Sequence, residues 1–372
     1  MALMPTTEPS PAGAVPRVAT VSVRPQHATV CLAPHRSLLH LGPDARQLGL
    51  NPATALATDE LPFPLVQMLD ELTQPVDRAE LLARAVHRGA DAVAAEGLLH
   101  QLLEAGAVVD AAGSQRRVRH RGTSTVIVVG DGPLAVGLAT GLALGGVGGV
   151  HTDVSGTVVA ADLGTGYLDA DRGHDRARAL TAAVRRLVPS ARIGSPPPRL
   201  RPDLVILADA VAPDPARVSR LLAEATPHLL VRLRDGTGVV GPLVLPGRSA
   251  CLGCLELHRC ARDPSWPTVA AQLVDRPGRA ESACTAATAA FATAQALAAL
   301  DGGAPGCPAP AVLDATLELD PAAATLIRRQ WGAHPDCGCG AAAASMRASL
   351  PVPSDREDWV CAGAPVGGTI SG

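Results

Sequence analysis

Cys251-Leu-Gly-Cys254 and Cys337-Gly-Cys339 are the two places where this sequence sets metal-binding side chains close together. Two pairs of thiolates can complete one tetrahedral zinc site, and Gly253 and Gly338 permit the tight turns such a site needs. Four sulfur ligands leave no open coordination position, so the metal would be structural and would not activate water. His334 could replace one of the thiols. Free thiols and a redox-active CxxC are the competing readings, and the agreement of two separate pairs favours the metal. Cys260 and Cys284 lie between the pairs; either could be a reactive thiol, although Cys284 opens an alanine-rich stretch and reads better as a small core residue.

The second candidate is Gly130-Asp131-Gly132-Pro133-Leu134-Ala135, which follows the apolar segment "STVIVVG". Gly130 allows a tight turn, Gly132 lets backbone approach a phosphate, and the small Ala135 lets a helix pack closely on a strand. The free N–H groups of the helix that follows would face an anion. The competing reading is a Rossmann loop kept as architecture alone.

Composition sets the frame for both candidates. A chain of 372 residues accommodates two domains and a small third. Hydrophobic residues make up 47% and aromatics only 2%, so the cores must be built from Ala, Leu and Val. A net charge of −3 argues against a nucleic-acid partner. All 32 basic residues are Arg, and Asn51 is the single Asn. No apolar run of membrane-spanning length is unbroken; 126–150 comes nearest and is interrupted by Asp131, Pro133 and glycines, so no membrane partner is expected. Residues 1–16 are rich in Pro, Ala and Thr, lack the features of a signal peptide, and read as a disordered tail. Nine cysteines, four of them in tight pairs, suit a cytoplasmic chain better than a disulfide scaffold.

The elements that position the candidates follow from periodicity. Residues 17–112 read as one small unit. Short extended segments lie at 28–42, and apolar residues recur at helical spacing at Leu65/Met68/Leu69/Leu72, Leu81/Leu82/Ala85/Val86 and Leu98/Leu99/Leu102/Leu103. A short strand closes it at 107–109. Three helices with flanking strands suggest a winged-helix-like α+β domain, and a plain helical bundle has the same periodicity. Residues 113–123, with Arg116, Arg117, Arg119 and Arg121, read as a solvated polar linker. From 124 to 340 strands and helices alternate. Strands are expected at 124–130, 157–161, 201–209, 228–234 and 239–245, and two late ones at 311–320 and 323–331. Helices are expected at 133–145, 175–187, 214–225 and 284–300. The alternation implies an α/β fold with a mostly parallel sheet covered on both faces. Residues 341–372 read as a flexible tail.

The order of these parts resembles the ThiF/MoeB/E1 superfamily of ubiquitin-activating-type adenylyltransferases. The run "VIVVGDGPLAVGLATGLALGGVG" looks like its opening strand, loop and helix, "PDLVILAD" like its strand bearing an acidic residue, and "GVVGPLVLPGRSACLGC" and "HPDCGCG" like the segments carrying its zinc pairs. The resemblance spans roughly 124–340. With the small preceding domain, it extends to the leader-peptide-binding partner of azoline-forming cyclodehydratases. It implies a Rossmann-like E1 fold with zinc at Cys251, Cys254, Cys337 and Cys339, and a peptide or small protein as substrate. A separate modifying enzyme, a homodimer paired through its helices, and ATP with Mg²⁺ on the glycine loop are also implied.

The resemblance also assigns site residues, and here the chain departs from the pattern. Gly130, Gly132 and Ala135 would form the nucleotide loop, and Asp153 or Asp162 would take the ribose. The Asn/Arg/Gln patch for the phosphates is missing, because "ADLGTGYL" stands there. Arg176 stands where the family has Lys, without the compact ammonium geometry. Asp209, with Ala210 beside it, stands near the magnesium position. Transfer of this kind depends on positioned charge. The chain therefore reads as a degenerate adenylyltransferase that binds and presents a peptide, with an active adenylyltransferase as the second reading and a nicotinamide or flavin oxidoreductase as a third.

Overall fold

The computed structural model describes residues 29–302 and 309–343, and these divide into two compact units between Gln115 and Arg116. The tail expected at 1–16, the start of the small unit at 17–28 and everything after 343 lie outside the described residues. Residues 341–343, expected in the C-terminal tail, are helical.

The first unit runs β1 (Thr29–Leu32), β2 (Leu38–His40), β3 (Arg46–Leu48), β4 (Leu56–Thr58), α1 (Phe63–Glu71), β5 (Val76–Asp77), α2 (Arg78–His87), α3 (Ala92–Glu104) and β6 (Val108–Asp110). The helices form where the apolar spacing places them. Leu65, Met68, Leu69, Leu81, Ala85, Leu99 and Leu102 face one core. Asp77 and Asp91 start α2 and α3 by accepting hydrogen bonds from the N–H groups of Glu80 (3.0 Å) and Ala94 (2.8 Å), satisfying donors the first turn leaves open. The strands form two small antiparallel sheets, ordered β5-β1-β6 and β2-β3-β4. The buried Arg46 joins β3 to α1, with Nε and Nη2 each 2.8 Å from the two carboxylate oxygens of Asp70. Its hydrogen bonds hold the Asp70 carboxyl below the usual range. The segment 113–123 is not a loop: Ala111–Thr123 is helical (α4), and Arg121 in its last turn is paired bidentately with Asp301.

The second unit contains β7 (Thr125–Val129), α5 (Pro133–Leu144), β8 (Gly149–Asp153), α6 (Arg176–Leu187), β9 (Ile193–Gly194), β10 (Leu204–Asp209), α7 (Pro215–Ala223), β11 (His228–Arg234), β12 (Thr237–Val244), α8 (Leu252–Arg262), α9 (Trp266–Leu273), α10 (Ser282–Leu300), β13 (Ala315–Asp320) and β14 (Thr325–Gln330). They build one eight-stranded sheet, ordered β14-β13-β12-β11-β10-β7-β8-β9. The strands from β11 through β10, β7 and β8 to β9 are parallel, and β12, β13 and β14 are added antiparallel. Chain order departs from β7 in both directions, so the carboxyl ends of β7 and β10 flank a topological switch point.

The second strand lies at Gly149–Asp153 and not at the β-branched run 157–161, which forms a loop ending in a 3₁₀ turn, Ala160–Asp162. Position in the sheet overrides propensity here: β8 is hydrogen-bonded on both sides, although its sequence is Gly-Val-His-Thr-Asp.

The sheet-facing helix α5 is buried nearly all round and approaches α10 closely. Gly137, Gly141 and Gly145 form a seam against Ala289, Thr293 and Leu297: an added Cβ would lie 2.9 Å from the Ala289 methyl, 2.6 Å from Thr293 Oγ1 and 2.7 Å from Leu297. The helix α10 has the length and apolarity to cross a membrane, a feature composition alone does not interpret. Here one side of it, including Thr288, Ala292 and Ala296, is core against α5 and β12.

Candidate functional site

The glycine loop connects β7 to α5 at the switch point, and its anion cradle is filled from within. Asp209, the last residue of β10, turns its carboxylate onto the amino end of α5. Oδ2 accepts from Gly132 N–H at 3.0 Å and Ala135 N–H at 3.3 Å, and Oδ1 accepts from Leu134 N–H at 2.9 Å. The loop glycines clear space for this carboxylate. A Cβ at Gly130 would lie 2.7 Å from Oδ2, and one at Gly132 2.6 Å from Oδ1. Asp209 reaches the position through a left-handed backbone, φ +70°, and is 5% exposed. Burial pushes its carboxyl up to about 6, against the pull of the three N–H donors.

Beside the cradle lies a cavity of about 350 Å³ lined by Asp131, Asp153, Asp209, Asp214, Asp275 and Arg217, among others. Arg217 is its one basic side chain, and it is held by Asp153 (Nη1 to Oδ2, 2.9 Å). Asp131 is bound to the N–H and hydroxyl of Ser155. Asp153 therefore borders this cavity, at the end of β8. Asp162 does not: it is buried, accepts from Val159 N–H at 2.9 Å and pairs with Arg176 at 2.8 Å. Arg176 also donates to the Ser155 carbonyl. It borders a second cavity, of about 300 Å³, together with Asp131, Asp162, Arg279 and Ser282.

A strap separates the two cavities. Residues 274–278 run beside the ends of the strands: Val211 N–H donates to Arg276 O (2.8 Å), and Gly278 N–H donates to the carbonyl of Asp209 (3.0 Å). Pro277 lines both cavities. A Cβ on Gly278 would collide with the Leu233 carbonyl, so the strap lies flat against the sheet end. Arg217, Asp214 and Asp275 are site residues that motif reading missed. They belong to no motif, and only the fold brings them beside the loop.

The four cysteines of the two pairs converge. Their sulfurs all lie within 4.8 Å of one another, with Cys251–Cys254 at 3.8 Å, Cys251–Cys337 at 3.5 Å and Cys254–Cys339 at 3.6 Å. A tetrahedron of sulfurs about 2.3 Å from zinc has edges of about 3.8 Å, so the donor set fits that ion, and a disulfide at about 2 Å is excluded. Burial pushes the Cys251 and Cys337 thiols up, the direction that a dication would reverse. Cys251 caps α8 rather than lying in a free turn, so Cys251 and Cys254 stand one helical turn apart on one side of that helix. His334 is not among the four ligand atoms: its Nδ1 accepts from Asp336 N–H, and its ring meets His258 edge-on at 4.8 Å. Cys284 is buried on α10 facing the Gly236 carbonyl, and Cys260 is half-buried on α8.

The sequence matches no family model and no curated protein. Solved structures do match. Escherichia coli MccB with ATP superposes with a TM-score of 0.63 at 11% identity, covering 84% of this chain and 99% of that one. The fold is that of MccB. The same figures hold for the microcin C7 biosynthetic enzyme MccB in complex with N-formylated MccA, and PaaA superposes with a TM-score of 0.53 at 13% identity over 81% of this chain and 99% of that one. Within this fold, the residues at the switch point of the present chain do not suit a triphosphate. The cradle N–H groups are taken by Asp209, the cavity carries five carboxylates, and its one arginine is paired with Asp153.

Proposed function

We propose that this chain is a member of the ThiF/MoeB/E1 superfamily that binds a peptide and presents it to a separate modifying enzyme, without transferring AMP itself. The observation that carries the reading is the acid-lined cavity at the switch point. Five carboxylates line it with a single arginine that is already paired. Adenylyl transfer needs positive or polar donors converging on the phosphates, and losing one such donor costs on the order of 100-fold or more in rate. Arg176, which stands where the resemblance places a lysine, is committed to Asp162 and the Ser155 carbonyl. MccB, which shares the fold, was solved with MccA bound, and this supports a peptide as the partner. The first unit, read as a winged-helix-like clamp, would take an extended peptide along a sheet edge, where backbone groups supply affinity. The zinc at Cys251, Cys254, Cys337 and Cys339 is structural in this reading. The chain works in the cytoplasm as a homodimer, in the manner of the leader-binding partner of a cyclodehydratase.

Two measurements on the full chain test it. Linear peptides selected from a displayed library on the immobilised chain, and then titrated by fluorescence anisotropy, are expected to bind saturably. With the same peptides and Mg-ATP, ATP–pyrophosphate exchange is expected to stay at background. Robust exchange that disappears in Arg176→Ala would establish the active adenylyltransferase in its place.

A further inference from the structure

Arg232, on the inner strand β11, is a buried cation without a counter-ion. It is 2% exposed. Val231 and Leu233 face the core shared with α5, so Arg232 lies with Leu230 on the other side of the sheet, the side covered by α8. Its Nη1 donates to the Val211 carbonyl at 2.7 Å. Its Nε and Nη2 are buried and have no hydrogen-bond partner among the described residues. These two nitrogens form the edge with which a guanidinium grips two oxygens in parallel. Elsewhere in this chain that edge is filled. Arg46 holds Asp70 through Nε and Nη2, both at 2.8 Å, and Arg121 holds Asp301 through the same pair of atoms.

The acids nearby are already committed. The charges that act on Arg232 are Arg259 and Glu256 on α8, Arg234 on β11 and Glu318 on β13. Glu256 accepts from Arg259 through one carboxylate oxygen (2.9 Å) and from the Trp266 indole through the other. Glu318 is shared by Arg234 (3.3 Å) and Arg329 (2.9 Å). Asp209, opposite Arg232 in the register of β10 and β11, gives its carboxylate to the glycine loop. Arg232, Arg234 and Arg259 therefore stand against two glutamates, an excess of one positive charge, and the half-exposed Arg329 adds to it from the rim. Burial, reinforced by Arg259, pushes the Arg232 guanidinium down to about 9, so it is charged at neutral pH. A charge enclosed in this way is strongly destabilising unless it is paired and hydrogen-bonded.

We propose that the Nε–Nη2 edge of Arg232 binds a small monovalent anion, a halide or a short carboxylate, inside the second unit on the α8 side of the sheet. One negative charge balances the excess, and two parallel N–H groups suit a halide seated between them or the two oxygens of a carboxylate. A water molecule would accept from the edge but leave the charge unbalanced. The site uses neither the glycine loop nor the zinc cysteines, and it stands independently of the proposed function.

The test unfolds the full chain in urea at neutral pH and constant ionic strength, with sodium chloride or sodium formate replacing the salt of a bulky organic sulfonate. A ligand that binds only the folded chain raises the folding constant about tenfold at about ten times its dissociation constant. Wild type is expected to show this increase with chloride or with formate. Arg232→Met keeps much of the stem and removes the charge. Exchanging a buried ion for an apolar residue of similar volume is often neutral or stabilising, so this variant is expected to fold and to lose the anion dependence. Crystals of wild type grown in bromide and in formate give a readout that does not need the variant: bromide anomalous density, or a formate, is expected within hydrogen-bond reach of Nε and Nη2. Bromide there assigns a halide site, and formate alone assigns a carboxylate site. Three outcomes overturn the proposal: equal anion responses in wild type and variant, no response of wild type to either salt, or water at the edge in both crystals. None bears on peptide affinity or exchange, so this site and the proposed function fail separately.

Discussion

Replacing Asp209 by Asn should change how stability depends on pH. Burial raises the Asp209 carboxyl from 3.8 to about 6 in the folded chain. A shift of about two units corresponds to about 3 kcal/mol. The folded state therefore holds this proton more tightly than the unfolded state does. The resulting contribution is fully present below about pH 3.8 and is lost as the pH climbs through about 6. In the difference between wild type and Asp209→Asn the other titrating groups largely cancel. That difference should move against the wild type by about 2 kcal/mol between about pH 4.5 and about pH 7.5. The absolute offset is a separate quantity: one amide oxygen cannot serve all three N–H donors, and an orphaned buried donor costs about 1–3 kcal/mol. Urea unfolding followed by tryptophan fluorescence is the assay, because Trp266 and Trp331 both belong to the second unit. A difference that stays flat across this window would refute the argument that burial outweighs the three backbone donors.

The remaining predictions use other parts of the second unit. Freshly purified protein should contain one zinc per chain by elemental analysis; Cys254→Ser should lower that content and the unfolding midpoint together, and metal-free protein with unchanged stability would exclude the site. Gly141→Ala should destabilise. Helix propensity alone favours Ala by about 1 kcal/mol, but the new Cβ meets Thr293 Oγ1 at 2.6 Å, and overpacking costs about 1–3 kcal/mol, so a raised melting temperature would show that the seam relaxes. The side of α10 turned away from α5 carries Ala286, Ala290, Phe291 and Ala294, all exposed in the second unit; sedimentation at micromolar concentration should give a dimer that Phe291→Glu dissociates, and a wild-type monomer would remove the dimer from the proposal.

How far the sequence reveals these features depends on whether a residue's surroundings are local. The strands β7, β10, β11 and β12 are legible because both their faces are buried, and they read as unbroken apolar runs. The cysteine pairs are legible because ligand spacing is itself a local constraint. By contrast, β8 was missed because its Gly, His and Asp carry no strand signal. Nearby Val158 and Val159 carry one without being in a strand. The arginine run at 116–121 reads as a linker, yet it is helical and anchored where Arg121 finds Asp301, a partner 180 residues away. Helix α8 escaped notice because its first residues were already explained as a turn holding thiols.

Asp209 shows the limit most plainly. Composition and motif place an acid at the end of β10 and a glycine loop after β7, and analogy then assigns one to a metal and the other to a phosphate. Only the register of β7 beside β10 brings them together. That register, with Leu207 opposite Val129, carries the next strand residues to the mouth of the loop. The left-handed turn at Asp209 then aims the carboxylate at the N–H groups of the loop. A charge that assists phosphate chemistry when it holds a cation opposes that chemistry when it sits in the phosphate's own place. The two arrangements differ by the backbone angles of one residue, whose carbonyl accepts from Gly278 N–H nearly 70 residues further along the chain. The sign of this residue's effect on nucleotide binding is therefore a property of the tertiary fold.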